Sequence, residues 1–152
     1  MRKQVSVERP QPWSLVLVTA ITFFLPAGGA VVAIRNMVRL GEIDARRALE
    51  LTVATIVVFA AGYSGLLIVS QPDSSGAPTL SPIVTALLSL GTALAAFIFQ
   101  RKEYVAWRQT HPGTDTGAWY AAIGWGLVYQ FLTYFACIPF FLVLAIVTSA
   151  GS

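Results

Sequence analysis

Four long stretches of this sequence carry no charged side chain: residues 13–34, 51–70, 79–100 and 116–152. A helix needs roughly 20 apolar residues to cross about 30 Å of hydrocarbon, and each stretch meets that length. In lipid the backbone must satisfy its own hydrogen bonds, which favours helices over open strands. Strand-like alternation of apolar and polar residues is absent. Only 11% of the chain is charged and 56% is hydrophobic, against roughly 25% charged residues in a soluble domain. Together these features predict an all-α integral membrane bundle of four transmembrane helices. It forms a single domain over residues 1–152, with helices at about 13–34, 48–70, 79–100 and 117–149.

The last run exceeds one span. Thr116 is a candidate N-cap, and Trp119, Tyr120, Trp125 and Tyr129 fit an interfacial belt. Pro139 falls inside the hydrocarbon portion and should kink the helix. Asp44, just before Ala45-Arg46-Arg47, is a fair N-cap for the second helix.

The first run is interrupted by Pro26-Ala27-Gly28-Gly29. Charge gives this stretch a topological meaning, because short cytoplasmic loops collect Lys and Arg. Loops 35–50 and 101–115 hold seven basic residues and loop 71–78 holds none. The first two are therefore expected in the cytoplasm, and loop 71–78 and the C-terminus outside. Arg2, Lys3 and Arg9 precede the first run. A kinked span places them outside. A re-entrant hairpin, turning back at Pro26 to Gly29, keeps all ten basic residues on one side and has limbs too short to cross. Against the hairpin, a turn at membrane depth exposes backbone groups that only neighbouring protein can satisfy. The basic start and the small residues at 27–30 also fit, loosely, a signal peptide.

Chemistry is thin. One cysteine, Cys137, and one histidine, His111, are too few for a zinc site made by the protein alone. No haem-attachment, phosphate-loop or dinucleotide fingerprint is present. No catalytic set, metal or cofactor is expected, and no nucleic-acid partner, since the basic residues lie between apolar runs. Cys137 reads as a packing residue. Glu50 reads as a helix-terminus charge or a partner for Arg46 or Arg47.

Three groups are candidates for contact with partners. Arg35, Arg39, Arg46 and Arg47 fit lipid headgroups. Pro26, Gly28 and Gly29 mark a helix break where a partner can dock. Ala61 and Gly65, Gly91 and Ala95, and Ala122 and Gly126 stand four apart, the spacing that lets helix backbones approach closely.

The stretch FFLPAGGAVVAIRNMVRLGEIDARRALEL, with Pro26, Gly28, Gly29, Asn36, Leu40 and Gly41, resembles a segment of uncharacterised bacterial multi-pass membrane proteins. There a Pro/Gly-rich helix end is followed by a basic loop of the form Asn-x-x-x-Leu-Gly. The resemblance covers about 30 residues and implies a bacterial inner-membrane location, with no activity attached.

The expected role is a non-catalytic accessory subunit of a larger membrane complex, respiratory or photosynthetic complexes being examples, in contact with the bilayer and other membrane subunits. The alternative is a small homo-oligomeric transporter or channel, because a broken helix resembles the discontinuous helices that line substrate sites.

Overall fold

The computed structural model describes the backbone of residues 10–69 and 81–150, and side chains over 10–66 and 83–147. The tail with Arg2, Lys3 and Arg9, the loop 71–78 and the last two residues lie outside the described residues. Among the described residues five helices follow one another: α1 (Leu15–Phe24), α2 (Pro26–Leu40), α3 (Ala45–Val69), α4 (Ser81–Thr110) and α5 (Trp119–Ala150). The fold is all-α, and three of its helices, α3, α4 and α5, are long and apolar enough to cross a membrane.

The first apolar run is not one helix, kinked or otherwise. Pro26 has no N–H to donate to Thr22 and its ring crowds the preceding turn, so α1 cannot continue through it. Leu25, restricted by the proline after it, leaves the helical region at φ −129°, ψ 73°. Pro26 then suits the first position of α2, where no N–H is needed. The two helices fold back on each other. A Cβ on Gly29 would sit 2.2 Å from the Cα of Thr22. At the other end, the backbone N–H of Trp13 donates to Asn36 Oδ1 at 2.7 Å. A straight helix would hold those residues about 35 Å apart. The result is an antiparallel hairpin whose limbs, about 15 and 22 Å long, are each shorter than the hydrocarbon layer.

The other boundaries have local causes. Gly41 takes the left-handed conformation (φ 85°) and its N–H and that of Glu42 close back on Val38 and Met37, a Schellman stop that only glycine adopts without strain. Asp44 accepts from the backbone N–H of Arg47 at 2.7 Å and caps α3, as its place in the sequence suggests. Helix α4 runs ten residues beyond Gln100, since neither proline nor glycine interrupts it before Pro112 and Gly113. Helix α5 begins at Trp119 rather than at the expected Thr116 cap, and continues through Pro139.

The hairpin is the centre of the bundle. α2 packs on α1, α3, α4 and α5, and α3 packs along α5. α4 is attached through α1 and α2, not appreciably through α3 or α5. The core is small: Trp13, Val18, Ile21, Val32, Ala33, Ala96 and Ala122 form its main cluster. Of the apolar stretches of α3, α4 and α5, only 11%, 22% and 17% is buried within the chain. Most of their surface therefore needs lipid or another protein against it.

Candidate functional site

Three close approaches fix the hairpin, and glycine permits two of them. Gly29 lets α1 meet α2 at Thr22, whose hydroxyl folds back onto the Val18 carbonyl at 2.7 Å. Gly28 lets α2 meet α5, where an added Cβ would lie 1.9 Å from the carbonyl oxygen of Gly126. The Gly28 N–H, an unpaired donor of the first helical turn, donates to Gln130 Oε1 at 3.1 Å. The third tie is Asn36, fully buried. Its Oδ1 accepts from Trp13, and its Nδ2 donates to Gln100 Oε1 at 2.8 Å and to the Trp13 carbonyl at 3.3 Å. Because the Trp13 N–H fixes Oδ1, the amide orientations of Asn36 and then Gln100 follow. Gln100 Nε2 is left buried without a partner among the described residues.

The motif noticed in the sequence is thus the hairpin's own framework. Pro26 breaks the helix, Gly28 and Gly29 serve two separate contacts, Asn36 ties the segment leading into α1 to α2 and α4, and Gly41 stops α2. The buried amides Gln100 and Gln130 escape a reading that searches apolar runs only for ionisable groups. Their signal was simply an amide within an uncharged stretch.

The four candidate arginines separate into two pairs. Arg46 and Arg47 are exposed at the start of α3, and Arg46 pairs with Glu50 at 3.2 Å. Arg35 and Arg39 lie one turn apart on α2 and are half-buried. The Arg35 guanidinium carbon stands 3.8 Å from the centre of the Trp125 ring, and one of its nitrogens donates to the Tyr129 hydroxyl at 2.9 Å. Arg39 stands 3.7 Å above Trp13 and donates to the Gln11 carbonyl at 2.7 Å. Trp125 and Tyr129 therefore carry a cation rather than serving only as a belt; Trp119 and Tyr120 remain exposed. Burial, and then the charge of Arg35, lower the proton affinity of Arg39.

The small-residue pairs also divide. Ala122 and Gly126 are buried against the hairpin. Gly65 and Gly91 would meet nothing within 4 Å if given a Cβ, and Ala61 faces outward. Ala95 lines an apolar cavity of about 360 Å³ between α2, α3 and α4. A second cavity of about 560 Å³ lies between α3 and α5, with Thr85 of α4 on its wall. Both sit along the seam where α3 and α4 stand apart.

Among the described residues, no group of three His, Cys, Asp or Glu side chains is placed to hold a metal. Cys137 is buried, its Sγ 3.2 Å from the Thr133 carbonyl, and His111 stacks on Trp107 with ring centres 5.2 Å apart.

Glu42, in the α2–α3 loop, has one carboxylate oxygen buried without a partner among the described residues. Burial, then repulsion from Glu103, raise its pKa above the ordinary 4.5. Ionised Glu42 therefore penalises the fold above its folded-state pKa, and the penalty vanishes below about 4.5, where both states are protonated. Glu42→Gln should raise the melting temperature in detergent at pH 7 by about 1–2 °C, a small figure because the carboxyl group is only partly buried. The gain should disappear by pH 4; an equal gain at both pH values would show that charge is not its cause.

Comparison of the chain with protein-family models, curated proteins and solved structures gives no match.

Proposed function

We propose that this chain is a non-catalytic accessory subunit of a larger complex in the bacterial inner membrane. Three helices cross the bilayer, and the α1–α2 hairpin enters from the cytoplasmic side and returns. In this arrangement α3 runs outward, α4 inward and α5 outward. The Arg35–Glu50 and Arg101–Asp115 segments then share the cytoplasmic face with Pro10. All seven described Lys and Arg residues lie at that end, as the positive-inside rule requires.

The observation that carries the reading is the seam between α3 and α4. Gly62, Gly65 and Gly91 have open space where a side chain would be, and two apolar cavities run along the seam. Small residues at helix surfaces let a further helix approach closely. The low internal burial of all three long helices leaves surface for it. Partner membrane helices packed over the cavities and against the open glycine positions of α3 and α4 would satisfy both features.

The test is purification from its native membrane in mild detergent, with a cysteine at position 91 on a Cys137→Ala background. A stoichiometric membrane partner, crosslinked from Gly91→Cys, is the expected result. A chain that runs alone sinks the reading. A crosslink only to a second copy, together with solute flux in liposomes, would favour a homo-oligomeric transporter instead. On the same background, Gln11→Cys and His111→Cys should both label from the cytoplasmic side; opposite labelling would reject the hairpin topology.

A further inference from the structure

The geometry points to a binding site for an anionic phosphate ester between Arg35 and Arg39, at the mouth of a cavity between α2 and the first turns of α3. The cavity has a volume of about 340 Å³; Pro10, Val38, Ala48, Thr52 and Tyr129 help to line it together with the two arginines.

Three features make it a site rather than a patch of basic surface. First, neither guanidinium has a carboxylate within 4 Å among the described residues; the ion pair found there is Arg46–Glu50. Of the acids of the same loop, Asp44 caps α3, and Glu42 pairs with neither guanidinium and feels the repulsion of Glu103. Two half-buried positive charges one turn apart without a counter-ion repel each other, and a bound anion removes that cost. Second, each guanidinium is held by one face and one nitrogen. Arg35 lies on Trp125 and bonds Tyr129, and Arg39 lies on Trp13 and bonds the Gln11 carbonyl. The remaining N–H groups are pre-oriented, and planar donor forks of this kind match phosphate oxygens. Third, the cavity is two-sided. Arg35, Arg39 and Tyr129 give it a polar wall, while Val38, Ala48 and the exposed Leu49 give an apolar one. A phosphate joined to a hydrocarbon chain meets both walls.

The phosphate has two possible sources, a membrane lipid headgroup or a soluble phosphate. The lipid source rests on the membrane placement proposed above; neither source depends on a partner complex. Native mass spectrometry of the detergent-purified protein, with tryptophan fluorescence in phosphatidylcholine nanodiscs carrying phosphatidylglycerol, reads binding directly. Arg35→Gln with Arg39→Gln should weaken phosphatidylglycerol binding about 25-fold, roughly fivefold per arginine. Arg46→Gln with Arg47→Gln should change it less than about twofold, because those side chains are solvated. If the glutamine pair does not fold, Arg35→Lys with Arg39→Lys keeps both charges and loses the planar fork, for an expected loss of about fivefold. Competition by inorganic phosphate would confirm the site and assign it to a soluble ligand. Unchanged binding in the Arg35/Arg39 variants, or equal losses from both arginine pairs, would overturn it. Loss of a partner protein without loss of lipid would reject the complex and leave this site standing.

Discussion

Gly28→Ala is expected to cost about 3 kcal/mol or more of folding free energy in detergent. The new methyl group would lie 1.9 Å from the Gly126 carbonyl oxygen, 2.8 Å from its carbon and 3.0 Å from the Gln130 nitrogen. All three are backbone atoms, so no side chain can swing aside. α2 must move away from α5, losing the Gly28–Gln130 hydrogen bond as it goes. Overpacking alone costs about 1–3 kcal/mol, and a stranded buried donor adds about 1–3 more. Gly65→Ala and Gly91→Ala are the controls. Each has open space at the Cβ position, and alanine is the better helix former by about 1 kcal/mol, so neither should destabilise. Reversible unfolding in mixed micelles measures all three. Equal stability of Gly28→Ala and Gly65→Ala would show that α2 and α5 do not meet at Gly126.

The second large effect is expected at Asn36. Asn36→Leu keeps the branched shape, with a larger volume, but removes the partner of the buried Trp13 N–H and that of the Gln100 acceptor oxygen. With about 1–3 kcal/mol for each stranded buried group, a loss of about 3–5 kcal/mol is expected. Gln100→Met should cost less, about 1–2 kcal/mol, since Gln100 already carries one unpartnered nitrogen and its removal strands only one Asn36 donor. The double variant should fall short of the sum, because the two amides share a bond. Strict additivity would mean that Asn36 and Gln100 act separately, and an Asn36→Leu loss below about 1 kcal/mol would reject the tie altogether.

These positions also show what the sequence made legible. The break at Pro26 follows from one residue's missing N–H and could be read directly. The choice between a kinked span and a hairpin could not be read locally. It depends on Gly28 meeting Gly126 and on Asn36 meeting Trp13 and Gln100, contacts between residues up to about a hundred positions apart. Among the described residues the hairpin puts Arg35, Arg39, Arg101, Lys102 and Arg108 at the same end as Pro10, whereas Arg2, Lys3 and Arg9, on which the charge count turned, lie outside them. Spacing of small residues identified a helix face but not what covers it. Ala122–Gly126 proved internal, and Gly65 and Gly91 did not. The end of α4 was misplaced because the charges after Gln100 end the apolar run but not the helix. The chain stays helical through Arg101, Lys102 and Arg108 until Thr110.

The partner of the hairpin tip has a consequence for the order of biogenesis. Gly28 is synthesised about a hundred residues before Gln130, the group that satisfies its N–H. Until α5 emerges from the ribosome, the tip carries a bare helix N-terminus that hydrocarbon does not tolerate. In the arrangement proposed above, the hairpin would settle only once α5 is available to receive its tip, with α4 attached through it. A ribosome-stalled chain ending before residue 126 should leave its opening segment open to protease from the cytoplasmic side.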